Sequence, residues 1–166
     1  RLPENGGVVM VAFPNAFINK EACDHWYRRD GERKRQEALP GSTEEAVDEK
    51  MASWEEANPP PPGTLTEVAD HIDHIRDKIG VDHIGIGSDF DGMTDVPDGL
   101  EDVSKYPMLT AELVRREYSD EDILKIMGRN VLRALRGAEA VAQRLQQERR
   151  PSEARIEDLD GPRERS

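Results

Sequence analysis

Runs of apolar residues switch between a strand-like and a helical period along this chain, and the switches mark its elements. Gly6 to Phe13 (Gly-Gly-Val-Val-Met-Val-Ala-Phe) is a continuous apolar run with β-branched residues. It predicts a short strand buried on both faces, as in a parallel sheet covered by helices, with Pro14-Asn15 ending it. From Asn19 to Asn58 the pattern turns polar. Lys20 to about Ala38 is charged, with Ala22, Trp26 and Tyr27 as its apolar or aromatic positions, and Leu39-Pro40-Gly41 stops it. Ser42-Thr43-Glu44-Glu45 has the form of a capping box, with Ser42 as the cap of a second helix through Trp54. Pro59 to Pro62 then form a stiff, extended connector. The stretch 19–58 reads as a helical insertion outside the core.

A helical period returns at Thr64-Leu65-Thr66-Glu67, a second capping box. Leu65, Val68, Ile72, Ile75 and Ile79 give the helix one apolar stripe, and Gly80 is placed to cap its end. His83-Ile84-Gly85-Ile86-Gly87 is a second short strand three residues later. Strand, helix, strand with short joints is a βαβ unit and predicts a parallel sheet. Ser88 to Ser104 is a loop rich in Gly, Asp and Pro. Beyond it lie a short helix over Met108 to Glu117, a helix capped by Ser119, a turn at Gly128-Arg129-Asn130, and a last helix from Val131 to about Gln146. Residues 1–146 thus make one folded portion, and 147–166 a polar tail expected to be disordered.

Composition narrows the partners. The 166 residues carry 35% charged side chains and a net charge of −12, which argues against nucleic acid or an anionic membrane. The basic run Arg28 to Arg35 is interrupted by acids and reads as a solvated helix face. The single cysteine, Cys23, excludes an internal disulfide and a cysteine-based zinc site. No apolar run approaches the roughly 20 residues of a membrane span. A soluble protein is expected, its compartment is open, and the lack of an apolar C-terminal tail argues against a glycolipid anchor. The chain opens on Arg1 and reads as starting in mid-domain.

Candidate chemistry concentrates in Gly85-Ile86-Gly87-Ser88-Asp89-Phe90-Asp91-Gly92, where a strand delivers two carboxylates into a Gly-rich loop. The C-terminal ends of parallel strands are where such folds build active sites. Asp89 could be a metal ligand or a base beside a metal-bound water; on spacing alone, turn residues capping local amides are the better reading of Asp89 and Asp91. A twelve-residue calcium loop from Asp89 would need Gly and Glu where Thr94 and Leu100 stand. His71 and His74 are three apart on a helix, His71 beside the buried stripe and His74 on its flank; His83 opens a strand, and His25 has no evident partner. None forms a zinc motif. There is no nucleophile elbow and no phosphate loop.

Three segments in order, Val68 to Ile75, Gly85 to Gly92 and Gly99 to Pro107, resemble the signatures of the membrane (renal) dipeptidase family. Val9-Met10-Val11 and Arg129 to Arg133 fit the same order, so the resemblance covers about residues 5 to 137. It implies an α/β fold, the C-terminal part of a (β/α)8 TIM barrel of the metal-dependent hydrolase type, incomplete in this chain. It also implies a binuclear Zn2+ centre whose ligands lie upstream of Arg1, with no metal ligand among these residues, and dipeptides as substrate. A homodimer is compatible with it. Asp89 matches the aspartate that orients the metal-bound water and shuttles its proton to the leaving amine. Asp91 and Gly92 would shape the loop beneath, and Phe13, followed by Pro14, stands where the family often has an aromatic pair near the substrate. The 166 residues alone are expected to be an inactive fragment. A non-catalytic half-barrel interaction module and another metal-dependent amidohydrolase are the alternatives; the Glu101 to Tyr106 match argues against the latter.

Overall fold

The structure is a computed structural model that describes residues 1–155 and Leu159. Contacts divide the chain into two compact units, Arg1–Val131 and Leu132–Ser166.

In the first unit a short helix, α1 (Leu2–Asn5), precedes strand β1 (Val9–Ala12). Four helices come next: α2 (Asn15–Ile18), α3 (Lys20–Glu37), α4 (Glu44–Ala57) and α5 (Leu65–Ile79). Strand β2 (Ile84–Ser88) then pairs with β1 in parallel, as the βαβ reading predicts. Among the described residues these two strands make the only sheet. Its faces are unequal. Val11 and Ile84 are buried, whereas Met10 is 44% exposed, so the expectation of a strand covered on both faces does not hold. Met10 lies instead over Gly85, where a Cβ would sit 2.6 Å from its sulfur. Helices α6 (Tyr106–Arg115) and α7 (Asp120–Leu124) complete the unit.

One core joins both strands to α2, α5, α6 and α7. Val68, Ala69 and Ile72 of α5 pack with Val11, Phe13, Ile84, Leu100, Leu109, Leu113 and Ile126. Each fully buried aliphatic or aromatic side chain contributes about 1.5–3 kcal/mol. The cluster takes no residue from 19–58. There, α3 and α4 pack on each other and bury Ala22, His25, Val47 and Met51. The basic run is a solvated face, as its charge pattern suggests: Lys34 pairs with Asp30, Arg35 with Glu32, and Arg33 with Glu37 and Asp48.

Helix ends are set by side chains. The Thr64–Glu67 capping box is complete, and Glu67 reaches further: its Oε1 accepts from Asn19 Nδ2, the cap of α3. One carboxylate thereby fastens the starts of two helices. The cap of α4 is Thr43 and not Ser42, because the Ser42 hydroxyl donates to the Glu37 carbonyl at the end of α3. His71, placed beside the buried stripe, is exposed: it sits about 100° around the helix from Ile72, past the edge of the stripe. His25 is not without a partner. It is 6% exposed, its Nε2 lies 2.7 Å from the Asn58 carbonyl oxygen, and its ring packs against Trp54.

Gly128-Arg129-Asn130 is not a turn. A wide helical segment (Lys125–Arg129) kinks at Gly128 and runs directly into α8 (Asn130–Glu148). Asn130 holds the junction: it is 3% exposed, and its Nδ2 donates to the carbonyls of Val81 and Ile84 at 2.8 and 2.9 Å. Asn130→Ala leaves both carbonyls short of a donor and is expected to cost about 1–3 kcal/mol, read as a lower urea midpoint at unchanged slope. A midpoint within error of the parent would contradict this role.

The second unit continues α8 from Leu132 to Glu148, with Leu132, Leu135 and Val141 about half-exposed. Residues 149–155 have no regular structure. Most of the remainder of the tail that the sequence marks as disordered, 156–158 and 160–166, lies outside the described residues.

Candidate active site

The site forms where β2 ends. Val11 pairs with Ile86 but Ala12 with Ser88, so Gly87 is an extra residue in β2. Such a bulge bends a strand and re-aims the side chains beyond it. Phe13 N–H donates to the Ser88 carbonyl, closing the pair. The chain then turns through two left-handed residues in a row, Ser88 (φ 29°) and Asp89 (φ 79°). Positive φ at a residue with a Cβ costs of order 1–3 kcal/mol, and such turns collect at functional sites. Aspartate tolerates the left-handed region better than most residues.

The turn puts the Asp89 side chain in solvent. Gly92 N–H donates to the Asp89 carbonyl at 3.0 Å, and the carboxylate packs on Gly92, where a Cβ would lie 2.5 Å from Oδ1. Close approach of the carboxylate therefore requires glycine at position 92. Asp89 opens into a cleft of 570 Å³ whose walls include Phe90, Asp91, Asp102, Val103 and Tyr106. Phe13 is fully buried one layer below, edge-on to Phe90 and Tyr106 with ring centres 5.7 and 6.3 Å away. It supports the cleft floor without lining it. Asp91 is on the wall, and Gly92 is beneath Asp89.

The opposite wall comes from Gly99 to Pro107. Glu101 accepts from the Gly99 amide at 2.7 Å and pairs with Lys105; Asp102 accepts from the Ser104 amide at 2.7 Å. These hydrogen bonds hold both carboxyls below the usual range, for Glu101 chiefly through the Gly99 amide and for Asp102 through Ser104. Pro107 starts α6 in its first turn. The loop between the two walls is pinned to the start of α5 by hydrogen bonds from Asp98 N–H to the Gly63 carbonyl and from Leu65 N–H to the Asp98 carbonyl. Sequence reasoning missed Tyr106, Asp102 and Val103 as wall residues. The signal was present, because all three lie inside a family signature, but nothing local aims them at Asp89.

The histidines stay apart from the cleft. His83 Nδ1 lies 2.8 Å from the Gly7 carbonyl oxygen, at the opposite ends of the strands. Among the described residues no group of three His, Cys, Asp or Glu is arranged to hold a metal ion, so these residues do not by themselves fit a binuclear centre. Among the described residues, too, no helix is long and apolar enough to cross a membrane.

A carboxylate on a strained turn, in a cleft at the C-terminal ends of parallel strands, is how barrel hydrolases present an acid–base group. A profile of the membrane dipeptidase family, peptidase family M19, matches residues 1–149, and the chain belongs to that family. The dipeptidase ataJ of Aspergillus terreus is 54% identical over 148 residues, 89% of this chain and 27% of that protein. An uncharacterised dipeptidase of Schizosaccharomyces pombe is 37% identical over 155 residues, 93% of this chain and 28% of that one. The crystal structure of the probable dipeptidase PvdM from Pseudomonas aeruginosa superposes with a TM-score of 0.62 at 33% identity, over 80% of this chain and 37% of that one. The fold is thus a partial TIM barrel, and the chain spans 19% to 28% of the length of these curated relatives.

Proposed function

We propose that this chain forms part of a zinc-dependent dipeptidase, and that Asp89 is its acid–base carboxylate. The observation that carries the reading is the position of Asp89: exposed, on a left-handed turn just past the bulge in β2, facing a 570 Å³ cleft. From there the carboxylate orients the attacking water, holds the proton the water loses, and delivers it to the leaving amine. Asp91 and the Gly99–Pro107 wall shape the space around it. Family membership supports a metal-dependent hydrolase, and zinc as the metal rests on the family resemblance. Because the described residues make no metal cluster, the ions would be held by other strands of the barrel, and the role of Asp89 is stated without them.

Dipeptide hydrolysis by the full-length protein tests this. Free dipeptides are expected to be cleaved to two amino acids, while tripeptides and N-acetylated dipeptides persist. Turnover of tripeptides at a comparable rate would replace the dipeptidase reading with a broader peptidase.

A further inference from the structure

A second cavity is left unexplained by Asp89 and the family signatures. It measures 380 Å³, within the range of small-molecule sites, and its walls include Ala16, Ala22, His25, Trp26, Pro60 and Asp95. Ala16 follows β1 by way of Phe13 and Pro14, and Asp95 lies six residues beyond Asp89 in the loop after β2. Both therefore lie past the C-terminal ends of the strands. The six residues from Asp89 to Asp95 span at most roughly 20 Å, and the loop that carries Asp89 on one cavity carries Asp95 on the other. The remaining wall comes from α3, from Glu55 of α4 and from the proline connector that follows, so most of it belongs to the stretch that the sequence sets apart as an insertion.

The chemistry of this cavity is specific. Trp26 is 51% exposed at its wall, with Tyr27 edge-on to it at 5.1 Å, so aromatic surface remains open to a bound group. Of the polar groups, Arg29 and Glu55 are paired with each other and the Thr94 hydroxyl can donate or accept, so the balance left over is of acceptors. His25 Nε2 faces the Asn58 carbonyl, so that nitrogen carries the proton in the neutral ring, and Nδ1 is left as an acceptor. Asp95 adds a carboxylate. The cation on the wall, Arg29, is already bound to Glu55 through Nε at 2.6 Å, so its charge is answered within the protein. An aromatic surface beside surplus acceptors favours a ring that bears its own N–H or O–H.

We infer that this cavity receives one side chain of the substrate, and that it selects an aromatic ring carrying a hydrogen-bond donor, as in tryptophan or tyrosine. The inference rests on the dipeptidase reading and deepens it by naming the substrate class. It also gives the helical insertion a purpose: α3 supplies His25 and Trp26, and the Pro59–Pro62 connector supplies Pro60.

Full-length protein and its Ala16→Phe and Asp95→Ala variants are assayed on Trp-Gly and Gly-Trp, with Ala-Gly and Gly-Ala for comparison. In one of the two orders the parent is expected to favour the tryptophan dipeptide in kcat/KM by about tenfold or more. Ala16→Phe, which fills the cavity, and Asp95→Ala should each reduce that ratio several-fold. Replacing tryptophan by naphthylalanine, which keeps two rings and lacks the N–H, should lower kcat/KM about tenfold, because an acceptor is left unpaired. A ratio unchanged in both variants overturns the inference while the dipeptidase reading stands. If the protein cleaves no dipeptide, that reading fails, and calorimetric titration with N-acetyltryptophanamide decides the pocket alone. Binding weakened about tenfold by Ala16→Phe supports it, and equal or undetectable binding overturns it.

Discussion

Asp89→Asn in the full-length protein is expected to lower kcat for dipeptide hydrolysis by about 10²–10⁴-fold, the usual contribution of a positioned acid–base group. The substitution changes little else. Asparagine has the same shape, accepts the left-handed backbone at φ 79°, and still fits against Gly92. What is lost is the basic oxygen that takes and returns a proton. The metal content and the unfolding midpoint should stay at parental values, which separates a chemical role from a structural one. The sequence leaves open that Asp89 and Asp91 only cap a turn. Under that alternative Asp89→Asn would reduce activity by a few-fold at most, and a loss under tenfold would count against the proposed role.

Arg116→Met is expected to lower stability by about 2 kcal/mol, through the loss of several hydrogen bonds to charged groups. Arg116 is 13% exposed and joins two elements, α6 and α5. Its Nε donates to Glu112 on its own helix, its Nη1 to Asp70 and Asp73 on α5, and its Nη2 to the Thr66 carbonyl. Tyr118 adds its hydroxyl to Asp73, and Arg76 lies over the Tyr118 ring at 4.8 Å. Burial alone would raise the Asp73 carboxyl, but the hydrogen bonds from Tyr118 and Arg116 outweigh it and hold it low. Burial pushes the Tyr118 hydroxyl upward, and its bond to Asp73 adds to the shift. Methionine keeps the stem's apolar contacts and removes every donor, leaving Glu112, 10% exposed, to Arg115 alone and Asp73 to Arg76 and the Tyr118 hydroxyl.

The same cluster sets an acid limit. Hydrogen bonds from Arg115, then Arg116, lower the Glu112 carboxyl from 4.5 to about 2. A carboxyl depressed in the folded state contributes stability that is complete above its unfolded value and is lost as pH falls through its folded one. Urea midpoints should therefore drop as pH falls from about 4.5 toward about 2, and the drop should be shallower in Arg116→Met. Parallel pH curves for the two proteins would show that the cluster does not titrate as described.

Local pattern carried much of the frame. The period of α5, its capping box, Gly80 and the short apolar runs were enough for a strand–helix–strand unit, because each depends on residues within one turn or one strand. The turn at Asp89 was also legible in the Gly-rich loop after the strand, but the spacing alone fitted plain turn residues, and the acid–base role came from the family resemblance. The errors share a different cause. His25 to Asn58, Asn130 to Ile84 and Arg116 to Asp73 join residues 33, 46 and 43 positions apart, and no local period reports such pairs. Gly128 was read as a stop, yet the helix passes it with a kink because Asn130 ties the next turn to β2. Ser42 and Thr43 are both competent caps, and the choice fell to which hydroxyl the preceding helix engaged. The walls of the cleft needed both kinds of information. Gly99 to Pro107 was recognisable as a signature, but its use as a brace of local caps facing Asp89 emerges only in three dimensions.

Under the proposed function these residues complete a metal-dependent dipeptidase whose ions are held by the rest of the barrel. Metal content, measured together with dipeptide turnover on the full-length protein, decides whether they do. Bound zinc is expected, with loss of turnover on chelation and its return with added zinc, while the 166 residues alone bind no zinc and cleave nothing. Dipeptide turnover that survives complete removal of metal, or a full-length protein that binds none, would rule the proposal out.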